Sequence, residues 1–210
     1  MHDCEAPARL TDGFRRFRRR YYEDESSLFH DLVHNGQSPR VMMIACSDSR
    51  VTPSLVFDTG PGELFVVRNV ANLVPPAEFD DHRHGTSAAL EFAVERLKVA
   101  HIIVQGHSRC GGIQSLLEGI GGQYTRPWLT IAARARAEVL AQHPQADPKD
   151  QAHALGQASI LVSLENLLSF DNVRRAVVRG ELTLHGWYFD LEAGRMLRYE
   201  GTSQRFENLA

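Results

Sequence analysis

The 210-residue sequence contains only three cysteines and two tryptophans, and no apolar run approaches the length of a membrane span. Three cysteines are a poor basis for the disulfide framework of a small secreted protein. The net charge of -3 lacks the basic excess that marks a nucleic-acid-binding protein, so no nucleic-acid partner is expected. With no signal-peptide core recognisable either, the sequence predicts a cytoplasmic protein.

Hydrophobic residues make up 43% of the chain and charged residues 23%, which suits one globular domain with a substantial core and an additional arm. Residues 1–36 are predicted to form an N-terminal helical arm, because apolar residues recur at helical spacing over 10–34 and Gly36 follows as a stop. Arginines cluster between Arg15 and Arg20, and we interpret them as a solvated helix face. Residues 37–210 are predicted to form the main domain.

The main domain alternates between strand-like and helical patterns, which is typical of a parallel sheet. The fold class is therefore α/β: a mostly parallel central sheet with an antiparallel C-terminal edge strand, helices on its faces and the N-terminal helical arm. A short helix after the first strand is expected to begin with Thr52 as its capping residue. Predicted strands cover 41–44, 63–67, 101–105, 182–189 and 195–199, and predicted helices cover 86–98, 113–117, 131–142, 150–168 and 173–178.

Reactive side chains follow two of these predicted strands. The segment Ala45-Cys46-Ser47-Asp48-Ser49-Arg50 follows the first, and Gly106-His107-Ser108-Arg109-Cys110-Gly111-Gly112 follows the strand at 101–105. Sites in open α/β sheets form at the carboxyl ends of strands. Thiolate and imidazole are the ligands that zinc prefers, and three protein ligands leave a fourth position for chemistry. Cys46, His107 and Cys110 are therefore predicted to bind Zn2+, whereas Cys4 is expected to be a bystander.

Asp48 is the candidate fourth ligand, and Arg50 lies two residues further along the chain, where it can hold Asp48 in a bidentate ion pair. Asp48 on the metal would close the site, and Asp48 on Arg50 would open it. A purely structural zinc site is the main alternative, because closed four-ligand sites are usually structural. Arg50 argues against that alternative, because it competes for the carboxylate that a structural site would need.

These two motifs together resemble the β-class carbonic anhydrase family. The supporting stretches Pro61-Gly62-Glu63-Leu64-Phe65, Arg68-Asn69-Val70-Ala71-Asn72 and Gly85-Thr86-Ser87-Ala88-Ala89-Leu90-Glu91 resemble it as well. The resemblance implies that residues 37–210 form a catalytic domain whose zinc-bound hydroxide hydrates CO2 reversibly to bicarbonate and a proton, a lyase reaction. It also implies a homodimer, or a higher even-numbered homo-oligomer, with active sites near the subunit interface.

Carried over by residue, the resemblance makes Cys46, His107 and Cys110 the zinc ligands, and Asp48 and Arg50 the catalytic pair that opens the site. It implies a substrate pocket at Gln37, Phe65, Val70, Phe92 and Gly111, with Phe92 where plant-like members carry tyrosine. Met43 stands where some bacterial members carry the tryptophan of an inhibitory bicarbonate site. Together with Gln37 and Pro75-Pro76 this favours the plant-type subgroup, in which Asp48 pairs with Arg50 at neutral pH.

A zinc ion held by two thiolates and a neutral imidazole carries no formal charge, so it should acidify water less than the three-histidine site of other carbonic anhydrases, for which the pKa is about 7. Activity is therefore expected to rise toward alkaline pH. His82 and His84 are weak candidates for a proton shuttle. Two alternatives stay open from the sequence: a hydrolase of COS or CS2 on the same scaffold, and a non-catalytic zinc-binding module with the arginine-rich helix as an interaction arm.

Overall fold

The computed structural model describes residues 5–24, 26–78 and 84–209. Its contacts divide the chain into two compact units, Met1–Ser38 and Pro39–Ala210. The assignment of residues 1–36 as an arm and 37–210 as the catalytic domain stays a prediction. In the described residues, no helix combines the length and the apolar character needed to cross a membrane.

The first unit is helical, as predicted, but it is not one continuous helix. Helix α1 (Glu5–Arg18) runs into a π-helical turn (Arg19–Asp24), and α2 (Ser26–Asn35) follows. The interruption brings aromatic rings of this unit together: the Phe17 ring centroid lies 5.1 Å from that of Tyr21 and 5.3 Å from that of Phe29. The apolar residues that recur in the sequence therefore form an aromatic cluster, and α1 and α2 on either side of the π-helical turn both contribute to it. The periodicity alone does not reveal this turn.

The second unit is built on a six-stranded sheet of order β2-β1-β3-β4-β5-β6. β1 pairs in parallel with β2 and β3, and β3 pairs in parallel with β4, whereas β5 and β6 are antiparallel. The predicted fold class is confirmed, with one strand more at the edge than the sequence indicated. The strands are β1 (Val41–Cys46), β2 (Leu64–Asn69), β3 (His101–His107), β4 (Thr183–Asp190), β5 (Arg195–Glu200) and β6 (Arg205–Asn208).

Helices flank this sheet, and the long helix α8 packs against both β3 and β4. Gly106 lets α8 approach β3, since a Cβ added there would lie 2.9 Å from Ile160 Cδ1. The helices are α3 (Pro53–Val56), α4 (Gly85–Glu91), α5 (Gly111–Glu118), α6 (Thr125–Leu129), α7 (Ala133–Gln142), α8 (Pro148–Ser169) and α9 (Asp171–Val178), with a π-helical turn at Phe92–Arg96 and 3₁₀ turns at Val70–Asn72 and Thr130–Ala132.

Among its described residues the second unit has three hydrophobic clusters, and two of them are larger than the third. One joins the central strands to α8 and α9 through residues such as Ile44, Val104 and Ile160, each fully buried. The other joins α5 and α7 to α8 and includes Cys46 and Cys110. Burying one Ile or Leu side chain contributes about 1.5–3 kcal/mol. The cysteines therefore sit at the edge of a rigid core, which fixes the ends of β1 and β3.

Candidate metal centre

Three side chains that can ligate a metal meet at the C-terminal ends of β1 and β3. Cys46 ends β1, His107 ends β3, and Cys110 immediately precedes α5. One ligand atom from each lies within 4.8 Å of the other two, and all three side chains are buried. Asp48 is not a member of any such group within the part of the chain that the structure describes. Parallel pairing of β1 with β3 thus brings together the three ligands that the sequence predicted.

The His107 ring is held in the form that binds metals. Its Nδ1 lies 2.9 Å from the Ser108 carbonyl oxygen, which only accepts hydrogen bonds, so Nδ1 carries the proton and donates it. The other ring nitrogen, Nε2, is buried and has no hydrogen-bond partner. A buried lone pair without a partner is costly, and a bound metal ion would satisfy it.

The two sulfur atoms lie 3.8 Å apart. Two sulfurs bound to one tetrahedral zinc at about 2.3 Å would be about 3.8 Å apart, so the spacing fits that ion. The hydrogen bond between the thiols lowers the pKa of Cys46 and raises that of Cys110, because one proton is shared between them. The chemistry and the spacing of these donors therefore fit zinc.

Backbone N–H groups add to the positive potential at the cysteines. The Asp48 N–H donates to the Cys46 sulfur at 3.5 Å. Further backbone N–H contacts come from Ala71 to Cys46 and from Gly112 and Ile113, in the first turn of α5, to Cys110. Each of these bonds lowers the pKa of the thiol that accepts it, because it favours the thiolate. Cys46 is thereby favoured as the thiolate, the form that a metal ligand must have, whereas the hydrogen bond to Cys46 and burial raise the pKa of Cys110 despite its backbone contacts.

Asp48 and Arg50 form the bidentate pair that the sequence suggested. Arg50 Nε donates to Asp48 Oδ1 at 2.9 Å, and Arg50 Nη2 donates to Asp48 Oδ2 at 2.7 Å. Arg50 Nη2 also donates to the Arg109 carbonyl, which ties the pair to the loop that carries His107 and Cys110. The Arg50 guanidinium holds the pKa of Asp48 well below its usual range. That Asp48 prefers Arg50 over bound zinc stays a prediction.

Arg68 fixes the loop between Cys46 and Thr52, a role that the sequence did not reveal. Its guanidinium donates from Nε to the Cys46 carbonyl at 2.9 Å, from Nη2 to the Asp48 carbonyl at 2.6 Å and from Nη1 to the Thr52 hydroxyl at 3.2 Å. Thr52 occupies the N-cap position of α3, as predicted, but its side chain makes no cap hydrogen bond. Its hydroxyl accepts from Arg68 instead.

The 3₁₀ turn Val70–Asn72 runs alongside the ligands. Ala71 has φ 63° and Asn72 has φ 49°, two successive non-glycine residues in the left-handed region. Asn69 supports the turn, because its side-chain amide donates to the Leu73 carbonyl and its side-chain oxygen accepts from the Leu73 N–H. Gly112 is required beside it, since a Cβ there would lie 2.8 Å from Val70 Cγ1.

The residues predicted to line the substrate pocket do not all lie beside the metal ligands. Val70 and Gly111 adjoin the ligands, since Val70 packs against Gly112 and Gly111 begins α5. On β2 the residue paired with Cys46 is Asn69, and Phe65 lies four residues before it. Phe65 is therefore about 13 Å along the strand from the level of Cys46. Its ring stacks on that of Phe92 at a centroid distance of 5.9 Å, and Phe92 is 44% exposed. Gln37 belongs to the first unit, so its place in a pocket stays a prediction.

A cavity of about 480 Å³ borders the ligands on the side of α8. His107 and Cys110 line it together with Tyr188 and His153. At its rim Glu192 accepts from Arg109 Nη2 at 2.8 Å and forms an ion pair with Lys149 at 2.9 Å. The ligands are therefore buried but adjoin a space large enough for small molecules.

The predicted proton-shuttle candidates are only partly covered by the structure. His82 lies outside the described residues, as does Cys4, the predicted bystander thiol. His84 lines a second cavity of about 570 Å³, to which Val70 and Trp128 also contribute. Proton transfer by these histidines stays a prediction, as does the assignment of Cys4 as a cysteine without a role at the site.

Comparison with known proteins agrees with this geometry. The carbonic anhydrase family profile matches residues 41–196. Carbonic anhydrase from Pseudomonas aeruginosa is 40% identical over 209 residues, which cover 96% of this chain and 91% of that protein. The structure of the β-carbonic anhydrase CcaA has a TM-score of 0.91 at 34% identity, covering 98% of this chain and 93% of its own.

A third similar structure belongs to a protein that is described as a tetramer. One of the structures described as two tetrameric β-carbonic anhydrases from Sordaria macrospora is 28% identical, with a TM-score of 0.75 and coverage of 92% of this chain and 95% of that one. The resemblance first read from the two ligand motifs is thereby confirmed over nearly the whole chain. The chain belongs to the carbonic anhydrase family and, within it, to the β class.

Proposed function

We propose that this chain hydrates CO2 reversibly, the reaction of its family, with a zinc ion held by Cys46, His107 and Cys110. The observation that carries the zinc assignment is the buried donor set, with sulfurs 3.8 Å apart and a free Nε2 on His107. When bound, zinc acts as a Lewis acid that lowers the pKa of a coordinated water and makes it a nucleophile toward CO2. The protein supplies the rest of the catalysis.

In this proposal Arg50 keeps Asp48 away from the metal and so leaves the fourth position open. Asp48 stays ionised at neutral pH, because the guanidinium lowers its pKa. Its carboxylate then accepts a hydrogen bond from the reacting water and orients that water toward the substrate. The bidentate geometry and the bond from Arg50 to the Arg109 carbonyl support this role. The proposal corresponds to the plant-type subgroup.

The substrate pocket is proposed to combine residues of two copies of the chain. Val70 and Gly111 adjoin the ligands of their own chain and would border CO2, which is apolar and fits an aliphatic surface. Phe65 lies too far along β2 to reach those ligands, and it forms a partly exposed aromatic pair with Phe92 of the π-helical turn Phe92–Arg96. A dimer in which this pair completes the pocket of the second copy reconciles Phe65 and Phe92 with their positions. That Gln37 borders the substrate is proposed from the resemblance alone.

Stopped-flow CO2 hydration by the zinc-loaded protein, at about pH 7 and about pH 9, tests the proposal directly. We expect rapid turnover already at the lower pH, because the Asp48–Arg50 pair keeps the site open, and a further rise at the higher pH. The Cys46→Ala variant is the blank and should show background hydration only. Activity confined to the alkaline sample would overturn the open site, and equal rates for the blank and the parent chain would overturn the ligand assignment.

The proposed assembly predicts a native mass that is an even multiple of the 23.5 kDa chain. Light scattering coupled to size exclusion should give a dimer or a higher even-numbered oligomer, in line with the tetramers described for Sordaria macrospora. Phe92→Ser should lower kcat/KM for CO2 while leaving zinc content unchanged, because it removes an aromatic surface and no ligand. A monomer with full activity would contradict the shared pocket.

Cytoplasmic location and proton transfer by His84 remain proposals from the sequence. The non-catalytic alternative is not supported, because the family and the similar proteins are enzymes. Nothing about the described residues favours COS or CS2 over CO2 as the substrate.

A further inference from the structure

One side chain holds the Val70–Asn72 turn from a distant part of the chain. Trp128, on α6, donates from its indole Nε1 to the Val70 carbonyl at 2.8 Å, across 58 residues of sequence. The ring itself packs against the hydrophobic cluster that contains Cys46 and Cys110. Trp128 therefore links that cluster to the first residue of the turn.

The turn needs such support because of its backbone conformation. Ala71 and Asn72 both have positive φ, which side chains with a Cβ adopt only when the surroundings enforce it. Asn69 bonds the far end of the turn at Leu73, and Trp128 bonds the near end at Val70. Strained backbone of this kind is concentrated at functional sites, where the surrounding structure maintains it.

The conformation has two consequences at the metal centre. It places Ala71 in the buried cluster that contains Cys46 and Cys110, where its backbone N–H helps to lower the pKa of the Cys46 thiol. It also sets Val70, whose side chain is 40% exposed, against Gly112 at the start of α5. A relaxed turn would move Ala71 away from its packed position beside Cys46 and would shift a wall of the proposed substrate pocket.

We propose that Trp128 is a positioning residue for the metal centre: its indole N–H keeps the Val70–Asn72 turn in the conformation that packs Ala71 beside Cys46 and sets Val70 against the start of α5, facing the substrate. The inference rests on the zinc site proposed above. Trp128 touches neither substrate nor metal in this role, and it acts through the backbone of the turn.

The two tryptophans of the chain allow a matched experiment. Trp128→Phe keeps an aromatic ring but removes the N–H, and Trp187→Phe makes the same change at a partly buried position on β4. In zinc-free protein, we expect amide hydrogen exchange at residues 70–73 to accelerate in W128F and to stay unchanged in W187F. This readout does not depend on zinc or activity, so it separates failure of this inference from failure of the proposed zinc site.

In zinc-loaded protein, W128F should release zinc to a chelator about 10-fold faster, as for other residues that support metal ligands. Its kcat/KM should fall by about 5- to 10-fold, the effect of losing one hydrogen bond at a partly buried group. A general loss of packing would instead accelerate exchange throughout α6 and the core. Exchange, zinc release and kcat/KM all equal to those of W187F would overturn the proposal.

A second measurement keeps the inference testable if W128F does not fold. W187F leaves Trp128 as the sole tryptophan. The fluorescence of this variant therefore reports on the surroundings of Trp128, which bonds the turn at Val70. We expect its emission to shift when zinc is added to zinc-free W187F, because Trp128 bonds the turn and packs against the cluster that contains Cys46 and Cys110. Unchanged emission with stoichiometric zinc uptake would overturn the link.

Discussion

Cys110→Ala is expected to abolish tight zinc binding and to lower CO2 hydration by a factor on the order of 10³ or more, because the reaction depends on the metal for its nucleophile. The same loss should follow chelation of the parent protein, and added zinc should restore activity to the chelated parent but not to the variant. Metal analysis of the purified proteins and stopped-flow hydration measure the two effects. Thermal unfolding should also shift downward without zinc, since a ligand that binds the folded state stabilises it.

Cys4→Ala is the matched control for this prediction, because Cys4 is the cysteine that the predicted ligand set leaves out. It should retain both zinc and activity. Full zinc content in C110A, or an equal loss in C4A, would contradict the ligand assignment. Zinc content that falls while activity persists would contradict the reaction mechanism instead.

Arg50→Gln is expected to lower kcat/KM at neutral pH by about two orders of magnitude, within the range found for groups that orient a reacting proton. The variant removes both side-chain bonds that hold Asp48. The pKa of Asp48 then rises toward its ordinary value of about 3.9, which still leaves it ionised at neutral pH. Protonation therefore does not explain the loss. The freed carboxylate is expected to bind the metal and close the site.

This cause can be recognised from the pH profile. Hydroxide competes with a carboxylate ligand as pH rises, so the deficit of R50Q should narrow at alkaline pH, and Asp48→Asn in the R50Q background should not show that narrowing. Arg109→Gln is the matched control, since that guanidinium pairs with Glu192 and not with Asp48. A deficit that is independent of pH would show that Arg50 does not act by holding Asp48 off the metal.

The Asp48–Arg50 ion pair is also expected to make the stability of the fold depend on pH. A carboxyl whose pKa is depressed in the folded state adds stability above its ordinary pKa, and that stability is lost as pH falls through the folded-state value. R50Q should therefore be less stable than the parent protein at neutral pH, and the difference should shrink in strong acid. The effect on unfolding is expected to be small, because the Arg50 side chain is half exposed.

The sequence was informative where a local pattern and the global fold coincide. β1 and β3 are short apolar runs that end at ligand motifs, and their parallel pairing follows from the strand–helix–strand alternation between them. The three ligands could therefore be predicted to meet. The Asp48–Arg50 pair was also accessible, because two residues of separation keep both side chains within one loop.

Other features depend on contacts that sequence spacing does not encode. Trp128 meets Val70 across 58 residues, and Arg68 meets the Cys46 loop from a neighbouring strand. The π-helical turns interrupt segments whose apolar periodicity looked continuous. Strand β6 is short and mostly polar, with Phe206 as its contact to the core, so no alternation marked it as a strand. Tertiary packing determined each of these.

The separation of Cys46 from Cys110 by 64 residues has a consequence for how the protein acquires its metal. In an unfolded chain, a metal ion bound to both cysteines would close a loop of this length. The conformational entropy lost on closing the loop would weaken the binding. His107 and Cys110 alone would make a weak chelate. High-affinity loading thus awaits the pairing of β1 with β3, a non-local and slow event in folding. We therefore expect zinc uptake during refolding to follow formation of the sheet, so that it would report a late step.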